Sequence, residues 1–213
     1  MGTPVRRPAP APLILASASP RRLSLLEQIG IRPAAVERPC VDETPHTGES
    51  PVTLARRLAV AKVLAIAPSW PGCFILAADT VVAVGRRLLP KAEVEVDARR
   101  CLTLLSGRRH RVIGGIALLS PDGRLRVRMV ETKVALKRLE MDEIDRYLAS
   151  CEWHGKAGGY AIQGRASAFI RWINGSYSNV VGLALFETSQ LLTGAGAGAI
   201  DGRPECVPDD AGA

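Results

Sequence analysis

The apolar run Leu13-Ile-Leu-Ala16 is followed four residues after its end by Pro20, where a helical pattern opens. This junction constrains the fold more than any other feature. A strand over Leu13–Ser17 must deliver the chain straight into a helix. Proline suits the first turn of a helix, and Leu23, Leu26 and Ile29 then fall on one face. Gly30 is placed to end that helix as a left-handed cap. A strand whose end feeds a helix within one turn belongs to a layered sheet-and-helix architecture.

The rest of the chain repeats that alternation. Ala34–Arg38 reads as a second strand. Ser50 caps a second helix with Pro51 at its first position, and Leu54, Leu58, Ala61 and Ala65 form its apolar stripe. Phe74–Ala78 is a buried strand ending at Asp79. Val81–Val84 continues the chain to a hairpin turn at Gly85-Arg86. Asp97–Leu105 is a third helix, stopped by Gly107. Arg111–Leu119 and Leu125–Lys137 flank Pro-Asp-Gly-Arg, a hairpin signal. Met141–Ala149 is a short helix. Phe169–Ile173 is a strand that turns at Asn174-Gly175, and Asn179 to Leu192 reads as one or two helices. The class is therefore α/β, or mixed α+β. Residues 13–193 form a single domain, in two lobes around a cleft. Residues 1–12 are a loose leader and residues 194–213 a loose tail. The tail's Gly-Ala-Gly-Ala-Gly is no dinucleotide fingerprint, because no apolar-striped helix follows it.

Composition narrows the function classes. With aromatics at only 4%, the core must be built from Leu, Val, Ile and Ala. The net charge of +7 favours an anionic partner, but the Arg pairs are scattered and not interleaved with aromatics. A nucleic-acid groove is therefore not expected. Cys40, Cys73, Cys101, Cys151 and Cys206 form no CxxC, so neither a zinc site nor a disulfide framework is implied, and a reducing cytoplasm is the expected setting. No apolar run is long enough to span a membrane.

Chemistry concentrates at a few places. In Ser17-Ala-Ser-Pro-Arg-Arg22, two hydroxyls, two guanidinium forks and a helix start fall within six residues, a combination that suits phosphate oxygens. A capped turn with two exposed arginines is the plainer reading. Asp79 sits where ligands bind in α/β sheets and could activate water or hold a divalent cation; a turn aspartate capping its own backbone is the alternative. Asp42 and Glu43 could join Asp79 in an oxygen-only Mg²⁺ or Mn²⁺ site. Lys62 stands close to an apolar stripe, so it either snorkels or points into a cleft. Lys91 and Lys156 lie in turn-like segments. Gln163 closes a glycine-dense stretch and could read a base edge or merely hold a turn. Asn174-Gly-Ser-Tyr-Ser-Asn179 is either a ligand loop or a capped turn. His46, His110 and His154 lack metal-ligand spacing, and no GxSxG elbow exists.

Seven segments in order resemble the Maf family of nucleotide pyrophosphatases. They are SASPRR at 17–22, LAVAKVLA at 58–65, AADTVV at 77–82, LPKAE at 89–93, LSGRRHRV at 105–112, KAGGYAIQG at 156–164 and INGSYSNVVGLAL at 173–185. The resemblance implies a central mixed sheet flanked by helices, similar to inosine triphosphate pyrophosphatases. It implies cleavage between the α and β phosphates with a divalent cation, Mg²⁺ or Mn²⁺. Asp79 falls at the family's proton acceptor. Arg21, Thr80 and Gln163 fall at positions tied to substrate choice, and together they resemble the branch acting on dTTP and UTP rather than on 7-methyl-GTP. Ser17, Arg22, Lys62 and Lys91 are expected on the substrate, and Glu43 on the metal. A homodimer is implied by resemblance alone. Two departures stand out. Ala184 replaces a usual proline at a helix start. Gly114 replaces a frequent threonine and is expected to loosen a strand beside the site. The rival class is a nucleotide or nucleic-acid binder without catalysis, affecting cell division. Asp79 argues against it, since an acid weakens anion binding unless a metal or a proton transfer requires it.

Overall fold

The computed structural model describes residues 11–197. Most of the expected leader, the tail beyond Ala197 and Cys206 lie outside the described residues. The first half of the chain runs β1 (Leu13–Ala16), α1 (Pro20–Gln28), β2 (Ala35–Glu37), α2 (Pro51–Ile66), β3 (Phe74–Val84), β4 (Arg87–Leu89), β5 (Lys91–Ala92) and α3 (Glu95–Leu105). The second half runs β6 (Arg109–Leu119), β7 (Leu125–Leu136), α4 (Met141–Leu148), β8 (Lys156–Ala157), β9 (Ile170–Asn174), α5 (Tyr177–Val181) and α6 (Leu185–Ala195). α6 thus reaches Ala195 before Gly196 caps it in the left-handed region.

The central sheet is mixed, with order β2-β1-β3-β6-β7-β9. β1 pairs in parallel with β2 and β3, and the remaining pairs are antiparallel. The Gly85-Arg86 turn folds β4 back on the far end of β3, as its sequence suggested. β5 and β8 form a separate two-stranded ladder.

Asp79 does not end a strand. β3 runs unbroken through it for 11 residues, because antiparallel pairing with β6 continues past it, Asp79 opposite Gly115 and Thr80 opposite Gly114. The strand that ends here is its neighbour. β1 pairs with β3 only as far as Ala77, and β4 takes up pairing only at Val82. Residues 78–81 therefore face a gap in the sheet on that side, and this gap gives a mid-strand acid access to a cleft.

Alternation along β3 sends Asp79 and Thr80 to opposite faces. On the Asp79 face lies α2. Its Ala59, Val63 and Ile66 pack on Ile14, Ile75 and Ala77, and its Leu54, Ala55 and Leu58 pack on Val81, Ala83 and Ile113. Gly115 permits this close approach, since a Cβ there would overlap the Ala55 carbonyl oxygen. The other face carries the larger core, in which Leu76, Ile116 and Leu118 meet residues of α1, α3, α4 and α6.

Two helix stripes differ from expectation. In α2 the buried side is Leu54, Ala55, Leu58, Ala59, Lys62, Val63 and Ile66, whereas Ala65 is exposed. In α1 the buried residues are Arg22, Leu25 and Leu26. In both helices one buried charged residue lies on the inner face, and a count of apolar positions alone rotates the stripe away from it.

Candidate active site

A cleft of about 420 Å³ opens at the end of β1, between the central sheet and the β5–β8 ladder. It gathers Ser17, Arg21, Arg22, Glu43, Lys62, Asp79, Thr80, Lys91 and Gln163, together with Lys156. Every residue singled out for substrate or metal from the motifs thus lines one cavity. Asp42 does not line it. That side chain is exposed and accepts a hydrogen bond from Thr44 N at 2.9 Å, an Asx-type turn that directs it outward.

One wall is the start of α1. Ser17 Oγ, buried, accepts from Ser19 N at 3.1 Å and from Arg22 Nη1 at 3.2 Å. Arg22 is also buried. Its Nε donates to Gly182 O at 2.9 Å, and its Nη2 to Thr80 Oγ1 at 3.3 Å. Arg21 Nε donates to Val181 O at 3.2 Å. Burial lowers both guanidinium pKa values, with each other's charge adding to the effect on Arg21 and with Asp79 and Glu43 opposing it for Arg22. Arginine nonetheless stays charged. The two forks are therefore held by the carbonyl end of α5, where the helix dipole favours cations.

The floor is a chain of alternating charges. Lys62 Nζ lies 2.6 Å from Asp79 Oδ1 and 2.6 Å from Glu43 Oε1. Glu43 Oε2 also meets Lys91 Nζ. Burial opposes ionisation of Glu43, but the hydrogen bonds from Lys62 and Lys91 outweigh it and hold its carboxyl at about 2. Among the described residues no group of three or more His, Cys, Asp or Glu could hold a metal by itself.

The opposite wall is Tyr160–Gln163. Tyr147 Oη accepts from Ala161 N at 3.0 Å, and Tyr160 Oη shares a hydrogen bond with His110 Nε2 at 2.7 Å. These contacts hold the segment from behind, while the Gln163 side chain remains exposed in the cleft. Lys156 Nζ donates to His154 O at 2.8 Å, and burial followed by the nearby Arg21 charge lowers its pKa.

Residues 12–195 match the family described as Maf-like protein. The chain belongs to the Maf family. A protein from Paramagnetospirillum magneticum named dTTP/UTP pyrophosphatase is 65% identical over 87% of this chain and 98% of its own. Proteins of the same name from Rhodospirillum rubrum and Caulobacter vibrioides are 62% and 58% identical, over 87% and 86% of this chain and 88% and 95% of theirs. Among solved structures, a HAM1 protein from Coxiella burnetii is similar over 86% of this chain and 99% of that one, at 16% identity and a TM-score of 0.48.

The Maf motifs left several contributors unnoticed. The carbonyls of Val181 and Gly182 orient both arginines, yet a carbonyl leaves no mark in a sequence. The only sign was Gly182, whose φ of 148° favours glycine. His110 was set aside with the other histidines for lack of ligand spacing, although it braces the Gln163 segment. The Asn174–Asn179 segment takes its plainer reading: Ser176 Oγ caps α5 by accepting from Asn179 N at 3.1 Å. Gly114 opens no void, because a Cβ there would overlap Asn179 Oδ1. The expected loosening is replaced by a filled contact. No helix among the described residues is long and apolar enough to cross a membrane.

Proposed function

We propose that this chain hydrolyses dTTP and UTP between the α and β phosphates, releasing a nucleoside monophosphate and pyrophosphate. The observation that carries this reading is the position of Lys62, shared by Asp79 and Glu43 on the floor of a cleft whose walls hold Arg21, Arg22, Lys91 and Lys156. Five cations face three acids there, Glu43, Asp79 and Glu93, so the cleft attracts a polyanion. The names of the relatives support the same choice of substrate.

The residues divide the work. Arg22, Lys91 and Lys156 hold phosphate oxygens, with Ser17 fixing the Arg22 fork. Arg21, Thr80 and Gln163 select the nucleotide, in favour of dTTP and UTP over 7-methyl-GTP. Lys62 contacts Asp79 through Oδ1, which leaves Oδ2 to take the proton of the attacking water. Spreading negative charge is met by cations already in place, the main source of rate in phosphoryl chemistry.

Glu43 and Asp79 also suit a divalent cation. Both carboxylates face the same point of the cleft floor, where each lies 2.6 Å from Lys62 Nζ. Mg²⁺ typically takes one or two carboxylates and completes its shell with phosphate oxygens and water. When bound, Mg²⁺ or Mn²⁺ supplies charge neutralisation and polarises a phosphoryl oxygen. The domain proposed to carry this activity runs from residue 13, past the expected end at 193, to the end of α6 at Ala195, working in the cytoplasm as a homodimer with no nucleic-acid partner.

The test is pyrophosphate release from a panel of nucleoside triphosphates with Mg²⁺ or Mn²⁺. Turnover of dTTP and UTP is expected. Preference for 7-methyl-GTP overturns the substrate assignment, and nucleotide binding without release from any of them overturns the enzyme reading.

A further inference from the structure

Asn179 is buried at 1% exposure, and among the described residues its side chain hydrogen-bonds to neither arginine. Its Nδ2 directs two hydrogens at three acceptors, Val112 O at 3.2 Å, Val130 O at 3.3 Å and Thr132 Oγ1 at 3.0 Å, so one hydrogen is shared. One amide thereby joins β6, β7 and α5. Thr132 Oγ1 in turn accepts from Ser176 N at 3.1 Å and donates to Ser176 O at 3.2 Å, which ties the start of α5 to the same point. Two residues beyond Asn179 the helix ends. Its last carbonyls, Val181 O and Gly182 O, receive Arg21 Nε and Arg22 Nε, and Gly182 O also receives the Thr80 hydroxyl at 3.4 Å.

We propose that Asn179 is a positioning residue for substrate binding: by locking α5 to the sheet it sets the two carbonyls that aim Arg21, Arg22 and Thr80 into the cleft. A five-residue helix has too few internal bonds to hold its own place. The two buried strand carbonyls are fixed by the sheet, so an amide bonded to both is registered to the sheet rather than to a mobile side chain. Gly114 belongs to the device. It is the bare position into which Asn179 Oδ1 fits, and an added methyl there would overlap the amide and push it off its partners. This inference rests on the nucleotide reading of the cleft, but its test needs no turnover.

Binding of a non-hydrolysable α,β-methylene dTTP and of its dGTP counterpart is measured by calorimetry, with thermal melting to select folded protein. Asn179→Ala should weaken the dTTP analogue by about tenfold or more and erode its preference over the dGTP analogue, as expected when binding groups lose their aim. In the dTTP assay KM should rise more than kcat falls. Gly114→Ala should have the same effect in milder form. The double variant Gly114→Ala/Asn179→Ala refills the vacated space but restores no donor, so it should bind as poorly as Asn179→Ala. Wild-type affinity and preference in folded Asn179→Ala, or recovery in the double variant, overturns the proposal. If Asn179→Ala does not fold, unchanged binding by Gly114→Ala overturns it. Failure of the wild-type protein to bind either analogue overturns the nucleotide reading instead.

Discussion

Lys62 Nζ lies 2.6 Å from Asp79 Oδ1, bridging the covering helix α2 and the central strand β3. Both side chains are buried, at 7% and 4% exposure. They meet because Asp79 belongs to the strand face that α2 covers, and because Gly115 on the next strand lets that helix come close. An ion pair buried this deeply is costly to break from one side.

Asp79→Asn keeps the shape of the side chain and removes its basicity. If Asp79 takes the proton of the attacking water, kcat for pyrophosphate release should drop about 10²–10⁴-fold with the far-ultraviolet circular dichroism unchanged. Activity within a factor of two of wild type would remove Asp79 from that role.

Lys62→Met leaves Asp79 buried without its cation. Urea denaturation should show a loss of about 3 kcal/mol, and Lys62→Met/Asp79→Asn should recover much of it, since the remaining charge is gone. Simple additivity of the two single substitutions would show that the pair is not coupled.

Gly115→Ala places a methyl against the Ala55 carbonyl oxygen, which is backbone and cannot swing away. α2 must retreat, at about 1–3 kcal/mol of stability. Lys62 retreats with it, so kcat should fall even for the folded fraction. A stable variant with wild-type kcat would contradict the close packing.

Arg22→Lys preserves charge but not the fork that reaches Ser17, Thr80 and Gly182 at once. KM for dTTP should rise about tenfold, with a smaller change in kcat. Equal activity would mean that charge alone is needed at this position.

His110 gives stability a pH dependence. Burial lowers its pKa from 6.5 to about 4, and its Nδ1 has no partner among the described residues. As pH falls through 6.5 the unfolded chain takes up the proton while the folded one does not, so unfolding is favoured. The loss starts near pH 6.5 and is complete near pH 4, amounting to about 3 kcal/mol. Glu43, with its carboxyl at about 2, contributes stability above pH 4.5 that is lost only at lower pH, so the two effects separate. Melting midpoints from pH 8 to 4.5 should fall in the wild type and flatten in His110→Gln.

Much of the site could be read in one dimension. Ser17 to Arg22 is local: a strand, a turn and a helix start bring hydroxyls and guanidiniums together by chain connectivity alone. The glycine turns at Gly85 and Gly107 were legible for the same reason, since positive φ favours a residue without a Cβ. The α2 stripe was misplaced at Ala65, which is exposed, while Lys62, expected either to snorkel or to point into a cleft, lies on the buried side and lines the cleft. A buried lysine looks like a break in an apolar pattern, and only its two carboxylate partners, 19 and 17 residues away, explain why it faces inward.

What the sequence determined by itself is the order of the main strands and helices and the identity of the reactive groups, because periodicity, turn chemistry and side-chain type are local properties; β5 and β8, which read as turns, become strands only by pairing with each other across the fold. What the tertiary structure decided is access and aim. Asp79 reaches the cleft because β1 stops at Ala77 and β4 starts at Val82, a gap that neighbouring strands create. Arg21 and Arg22 point where they do because carbonyls 160 residues further along the chain accept their protons. Such relations depend on pairing register and helix packing, which exist only once distant segments share one sheet.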